Sequence, residues 1–461
     1  MKQNNKNLKK TGNEIQSIGI TNDSLTGRGG LAFIWKYIRE INVIPLISEI
    51  FEGIRKSRKG RAIEQIIRQL ICFYIDGSKM TMTRFDELSD DTGYMKTIGI
   101  KDENKVSSHI VKRFFKACNK LMFRKLQRLL IRLFIWRLSI DMPKVIILGL
   151  DTMVLDNNDA KKRGGVSYTY KKVAGYHPLH IYWNGFLVSI AFHEGSESPN
   201  HDNDLFNLLK DVVHEIRRKY SKIVPIIIAS DTGFYDQKYF ELVDKMNRTF
   251  FVCGGRILDS IKLKLMMKLP EEWKKFKKNK DIIEFLDFRD KRDSWKKEYR
   301  AIYTKYTCEN GEFKLEFDRP ETLIYTNLKN KEKLKQLGLE KYLDAAEIVK
   351  LYHSRGKDEL VNRGIKDFID EALPFQKFES NGIFYFLAII SYNLLIAFQK
   401  DKLGAVIAVE AYPDTIRRIF IDIAGKIVKK SGKIVLKFRQ EVVERLNLIE
   451  LWDQCGLVIQ V

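Results

Sequence analysis

Two aspartates in this chain end short apolar runs rich in β-branched residues. Asp151 closes VIILGLD and Asp231 closes VPIIIASD. In open α/β sheets, functional groups gather at the carboxyl ends of strands. Two acids displayed there from neighbouring strands can share a divalent cation, although each alone is also an ordinary strand-to-turn or N-cap residue. A third acid stands in a patterned segment, where Tyr352, Arg355, Glu359 and Lys366 are spaced Y-x2-R-x3-E-x6-K. At about 100° per residue these positions fall on one side of a single long helix, read over about Asp344 to Glu371 and ended by Leu373-Pro374. Such a set is a poor core stripe; the plain alternative is a solvated face carrying an Arg355–Glu359 ion pair. As a group the residues suit phosphodiester chemistry. Cleavage by water, followed by attack of a 3′-hydroxyl, needs an activated nucleophile and a stabilised leaving oxygen, which two hard cations about 3.5–4 Å apart supply together. Asp151, Asp231 and Glu359 are the candidate catalytic residues and ligands for two Mg2+ ions. Arg355, Lys366 and Tyr352 are the candidate phosphate grips.

The elements that must position these residues can be read around them. From Leu31 to about Ile140 apolar residues recur at three- and four-residue spacing, the pattern of helices. The character changes at Val145. After VIILGLD come HPLHIYW and FLVSIAFHEG, separated by Asn184-Gly185, a strong hairpin signal. A helical stretch, DNDLFNLLKDVVHEIRRKY, leads to VPIIIASD, and TFFVCGG reads as one more strand. Strand, hairpin, helix, strand, helix, strand is the order of an RNase H-like core, and of some other α/β sheets. Residues from about Arg256 to Lys341 are irregular and basic with strand-like pieces. The fold class predicted is α/β: an RNase H-like mixed-sheet catalytic core with a β-rich insertion domain, preceded by an all-helical domain.

The composition narrows the partners. The chain has 461 residues, 81 Lys and Arg against 59 Asp and Glu, and a net charge of +22. Nucleic acid, an acidic membrane surface or an acidic protein could each answer that charge. Asn104 to Ile140 holds no acid at all, while basic residues recur every four positions from Lys112 to Arg132. That row would wrap around one straight helix, so a break near Asn119 is expected. Acid-free basic runs favour phosphate contact over a merely solvated face. Residues 83–118 can be read as two short helices joined near Gly99, a possible helix-turn-helix. Its second helix would begin at Ser107 or Ser108 and present His109, Lys112, Arg113 and Lys116 to DNA. The five cysteines are scattered with no C-x-x-C pair; this predicts a reducing, cytoplasmic setting without disulfides or structural zinc. The polar N-terminus lacks an apolar signal core, and Ile383 to Phe398 reads as a buried core helix, so no membrane partner is expected. The histidines form no metal box. His177 and His180 would face opposite sides of a strand, and His193 and His201 are assigned buried or phosphate-contacting roles.

The three acidic motifs together resemble the superfamily of bacterial DDE insertion-sequence transposases that carries the YREK signature. GLDTMVLDNN, YKKVAGYHPL, ASDTGFYDQ and YHSRGKDELVNRGIKDF carry the likeness, with TRFDELSDDTGYMKTIG and VSSHIVKRF in the helical half; it runs from about Gly29 to about Phe438. The resemblance implies binding of double-stranded DNA at transposon ends, then cleavage and strand transfer with Mg2+ or Mn2+ in a synaptic homodimer. It also offers Trp295, and less closely Trp273, as a residue that holds a flipped base. The expected layout is a basic flexible tail over 1–26 and a helical DNA-binding domain over 27–142. The core would span 143–255 and 342–400 around an insertion domain at 256–341, with a C-terminal region at 401–461. Two readings stay open: a nuclease or recombinase that cuts without joining, and a domesticated copy that only binds DNA.

Overall fold

The computed structural model describes residues 15, 17–54, 60–197, 203–315, 318–408 and 411–461. A short strand, β1 (Ser24–Thr26), precedes seven helices: α1 (Leu31–Glu40), α2 (Val43–Ile50), α3 (Ile63–Asp76), α4 (Met82–Asp90), α5 (Thr92–Thr97), α6 (Ser108–Ala117) and α7 (Leu121–Asp141). The segment expected as one helix ahead of Gly99 is two. The Asp91 carboxylate accepts the Tyr94 N–H at 2.9 Å and so caps α5, while the Asp91 backbone closes α4. Between α6 and α7 the chain breaks at Cys118–Lys120, where the Asn119 side chain accepts the Leu121 N–H at 3.0 Å. The break lets both helices bury apolar residues while keeping their basic residues outward.

The sheet begins with β2 (Ile146–Thr152). Three short strands, β3 (Leu155–Asp156), β4 (Ser167–Tyr168) and β5 (Ala174–Tyr176), form a small sheet of their own. β6 (Leu179–Trp183) and β7 (Phe186–Ala191) are joined by Asn184 at φ 47° and Gly185 at φ 86°, the left-handed pair that a two-residue hairpin turn requires. Helix α8 (Asn203–Glu215), β8 (Ile226–Ser230), α9 (Gln237–Lys245) and β9 (Thr249–Gly255) follow. The spatial order is β7-β6-β2-β8-β9; β2, β8 and β9 run parallel and β6 is antiparallel to β2. After α10 (Asp259–Met266) come β10 (Lys274–Lys278), β11 (Asp281–Asp290), β12 (Tyr299–Glu309), β13 (Glu312–Phe313) and β14 (Glu321–Thr326). These strands extend the same sheet. β14 pairs with β9, and the sheet continues β9-β14-β12-β11-β10.

Alternation along β8 and β9 serves two layers. Ile226, Ile228, Phe251 and Cys253 join the main core, whereas Ile227, Phe250 and Val252 pack against a second cluster on the opposite face. That second face is covered by α12 (Ala345–His353), which follows α11 (Lys331–Gln336) and contributes Ala345, Ile348 and Val349. Next come α13 (Gly356–Ile369) and α14 (Phe378–Phe398). The stretch Phe378–Leu403 is long and apolar enough to cross a membrane, and its apolar window is wholly buried inside the protein.

The C-terminal region returns to the N-terminal helices. β15 (Gly425–Lys430) pairs with β1, and β16 (Lys433–Lys437) completes a three-stranded sheet. Residues 24–26, expected within a mobile tail, are therefore held in a strand; residues 1–14 and 16 lie outside the described residues. The Arg417 guanidinium is buried and joins three segments. It donates to Tyr74 and Ile75 carbonyls at the end of α3, to the Phe368 carbonyl at the end of α13, and to Asp414 at 2.7 Å.

Candidate active site

Parallel pairing of β2 with β8 sets Leu150 opposite Ser230, so the residues that follow, Asp151 and Asp231, leave adjacent strand ends side by side. By strand alternation both lie on the face that also carries Ile147, Gly149, Ile227 and Ala229, the face covered by α12 and α13. Asp231 is anchored by local geometry. It is the N-cap of the turn Thr232–Phe234 and accepts the Gly233 N–H at 2.9 Å. Asp151 accepts the Thr152 N–H at 2.8 Å on one oxygen and the Asn362 amide at 3.0 Å on the other. Burial pushes its carboxyl up to about 6; Thr152 and Arg355 oppose the rise, and Asp231 and Glu359 add to it. The three acids thus share one electrostatic neighbourhood. It is not a closed cage, for among the described residues no three His, Cys, Asp or Glu side chains are grouped to hold a metal ion.

The segment expected as one long helix is two helices. Ser354 ends α12, its hydroxyl donating to the Leu351 carbonyl at 2.7 Å and competing with helix continuation. Gly356, a poor helix former, opens α13. The break places Tyr352 in the last turn of α12, Arg355 at the cap of α13 and Glu359 in its first turns, exposed. The Tyr352 hydroxyl lies where any side chain on Gly254 would meet it at 2.5 Å, so Gly254 must stay bare. Burial raises the Tyr352 phenol, against the opposing effect of Arg355. The Arg355 guanidinium lies 5.6 Å from the Tyr352 ring centre, and its Nε has no hydrogen-bond partner. Lys366, near the far end of α13, is ion-paired with Glu371 at 2.7 Å. Behind the acids a cavity of about 570 Å3 separates α13 from the sheet, lined by Ile147, Gly149, Ala229, Arg355, Leu360 and Lys400. Gly149 and Ala229 are too small to fill it, so α13 is not packed tightly there.

His109, Lys112, Arg113 and Lys116 are all exposed on α6, opposite its buried Val111, Phe114 and Phe115. Arg124, Lys125, Arg128 and Arg132 continue an exposed basic face along α7. Arg137 does not belong to it; that side chain is buried between Asp141 and Asp401, at 2.5 Å from each. Trp295 is 5% exposed and packs edge-on against Tyr299 and Tyr325, with Phe240 and Tyr235 around it. That aromatic cluster covers most of its surface. Trp273 is half-buried, with the Lys305 ammonium 4.6 Å from its ring centre. His193 is buried with its Nε2 3.2 Å from Asp204, and His201 lies outside the described residues.

Three residues at the site carry no sequence signal of the kind used above. Asn362 contacts Asp151, and Tyr182 and His180 stand behind it. Asn362 does sit three positions after Glu359, on the same helical side, but an uncharged amide does not announce itself in a search for acids and bases.

A large mixed sheet with two aspartates at neighbouring strand ends is consistent with a DDE transposase fold. The chain belongs to one such family: the model of the transposase DDE domain group 1 matches residues 14–454. It is a transposase-family protein of DNA recombination. No curated protein matches it significantly in sequence. Among solved structures it is similar to a piggyBac transposase synaptic complex with hairpin DNA, at 12% identity and a TM-score of 0.40, covering 86% of this chain and 80% of that one. DDE domains generally depend on divalent metal. The donor chemistry fits such an ion: Asp151 and Asp231, side by side at the strand ends, are hard oxygen donors, and a cation's charge would offset the desolvation and the acidic neighbours that raise Asp151.

Proposed function

We propose that this protein is a bacterial insertion-sequence transposase of the YREK type, which binds terminal inverted repeats, cleaves the transposon ends and joins them to target DNA. The observation that carries this reading is the adjacency of Asp151 and Asp231 at parallel strand ends, with Glu359 in their electrostatic field. The strand order β7-β6-β2-β8-β9, with β6 antiparallel, supports an RNase H-like core. Asp151, Asp231 and Glu359 would hold Mg2+ or Mn2+, two ions in all. Such a pair, when bound, activates the attacking oxygen and stabilises the leaving one. The chain's own residues do the rest. Arg355 and Tyr352 grip the phosphate beside the acids, and Lys366 an adjacent one once released from Glu371. The exposed basic faces of α6 and α7 hold the duplex through its backbone, with His109, Lys112, Arg113 and Lys116 nearest the bases. Two copies act in a synaptic homodimer, in the cytoplasm.

The test uses the purified full chain, a labelled inverted-repeat fragment, a supercoiled target plasmid and Mn2+. Labelled fragment joined covalently to the plasmid is the expected product. Cleaved fragment without joining would replace this reading with the nuclease; bound but uncut fragment would replace it with the DNA-binding copy.

A further inference from the structure

A chain of buried polar groups runs from the core of the protein to Asp151. The Asn362 amide nitrogen donates to the Asp151 carboxylate at 3.0 Å. The Tyr182 hydroxyl donates to the Asn362 carbonyl oxygen. His180 Nδ1 lies 2.6 Å from that hydroxyl, and His180 Nε2 lies 2.7 Å from the Tyr385 hydroxyl. His180, Tyr182 and Tyr385 are wholly buried. The ladder makes this meeting possible. Asp151 pairs with His180 and Gly149 with Tyr182, so both side chains rise on the face that carries Asp151.

The hydrogen-bonding capacities allow one polarity. An ionised carboxylate only accepts, so Asn362 must turn its NH2 to Asp151 and its oxygen to Tyr182. That oxygen only accepts, so Tyr182 uses its single proton there and must accept from His180. The same oxygen lies 3.4 Å from His180 Nδ1, a second reason for Nδ1 to carry a proton. A neutral imidazole protonated on Nδ1 accepts on Nε2, from Tyr385. Every bond in the series then donates towards Asp151: Tyr385 to His180, His180 to Tyr182, Tyr182 to Asn362, Asn362 to the acid.

We propose that Asn362 is a positioning residue for Asp151, and that the Nδ1–H tautomer of His180, fixed between Tyr182 and Tyr385, keeps the Asn362 amide the right way round. Asn362 acts through Asp151, to which its amide donates. It fixes one carboxylate oxygen, so that the remaining lone pairs of Asp151 present a preset orientation to a cation. With the relay cut, the amide can turn its oxygen to the carboxylate and repel it. The role of Asn362 rests on the proposed reading of Asp151 as a metal ligand; the tautomer does not.

Two measurements test this on the full-length chain. In histidine-selective 15N spectra, His180 should appear as a neutral Nδ1–H tautomer, assigned by loss of its signal in His180→Gln. An Nε2–H tautomer or an imidazolium would overturn the relay. Next, Asn362→Leu keeps the branched heavy-atom skeleton and Asn362→Ala does not, but both lose the donor. Each should raise the Mn2+ concentration for half-maximal thermal stabilisation, and lower end cleavage, by roughly 10–100-fold, the usual effect of losing a group that orients a ligand. Mobility-shift binding of the end fragment should stay unchanged. Wild-type Mn2+ response and cleavage in both variants would remove Asn362 from any positioning role. A wild-type chain that shows no Mn2+-dependent shift would overturn the metal reading itself, whatever the tautomer.

Discussion

The charge on Asp151 should weaken the metal-free fold, and Asp151→Asn should therefore stabilise it while abolishing cleavage. The carboxyl is raised from 3.8 to about 6, first by burial and then by its acidic neighbours. That is about two pH units, each worth about 1.4 kcal/mol, so holding Asp151 ionised costs the native state about 3 kcal/mol at neutral pH. The amide does not recover all of this. It has one acceptor where the carboxylate has two, so either the Thr152 or the Asn362 donor goes unmatched, at about 1 kcal/mol. The net gain should be about 2 kcal/mol at pH 7.5. The sign follows from the raised native value: the penalty is absent below the unfolded value near 3.8, grows as pH rises, and is complete above about 6. Urea denaturation in chelator should therefore show the advantage of Asp151→Asn at pH 7.5 shrinking towards zero by about pH 4.5. Mn2+ should narrow the gap at pH 7.5, because only the wild type gains the ion as a stabilising ligand. A variant less stable than wild type at pH 7.5, by an amount that does not change with pH, would refute the argument.

Glu359→Gln should lose end cleavage entirely while binding the end fragment as wild type does in a mobility shift, since the exposed faces of α6 and α7 are unaltered. Replacing Lys112, Arg113 and Lys116 together with Ala should weaken end binding and lower the slope of log affinity against log salt by about three, with the native circular dichroism retained. Arg417→Leu should cost at least about 3 kcal/mol in urea denaturation, because it strips donors from the buried carbonyls of Tyr74, Ile75 and Phe368 at once.

Local patterns reported local structure. The strands ending in Asp151 and Asp231 and the Asn184-Gly185 hairpin were legible because β-branched runs and a left-handed turn pair leave direct marks on the sequence. The break between α12 and α13 was not, since it turns on one serine hydroxyl competing for the Leu351 carbonyl and one glycine close to it. Nor was the union of β14 with β9, because a strand does not declare its distant partner. Trp295 illustrates the same limit from the side-chain end: its type suits stacking on a base, but Tyr235, Phe240, Tyr299 and Tyr325 converge on it only in three dimensions. Asn362 was hidden for a chemical reason, having a function only as the neighbour of an acid.

The unbroken sheet has a metrical consequence. From β2, which carries Asp151, to the outer strand β10 the path β2-β8-β9-β14-β12-β11-β10 crosses six strand spacings. At about 4.8 Å each the span is about 29 Å. Duplex DNA laid along that direction advances about 3.4 Å per base pair, so the same length corresponds to roughly eight base pairs. A basic outer edge, where Lys274, Lys275, Lys277 and Lys278 line β10, is thereby fixed in register with the acids by hydrogen-bonded backbone alone. On the proposed reading the sheet would act as a ruler, setting how far a grip on DNA at β10 lies from the acids without any hinge to calibrate.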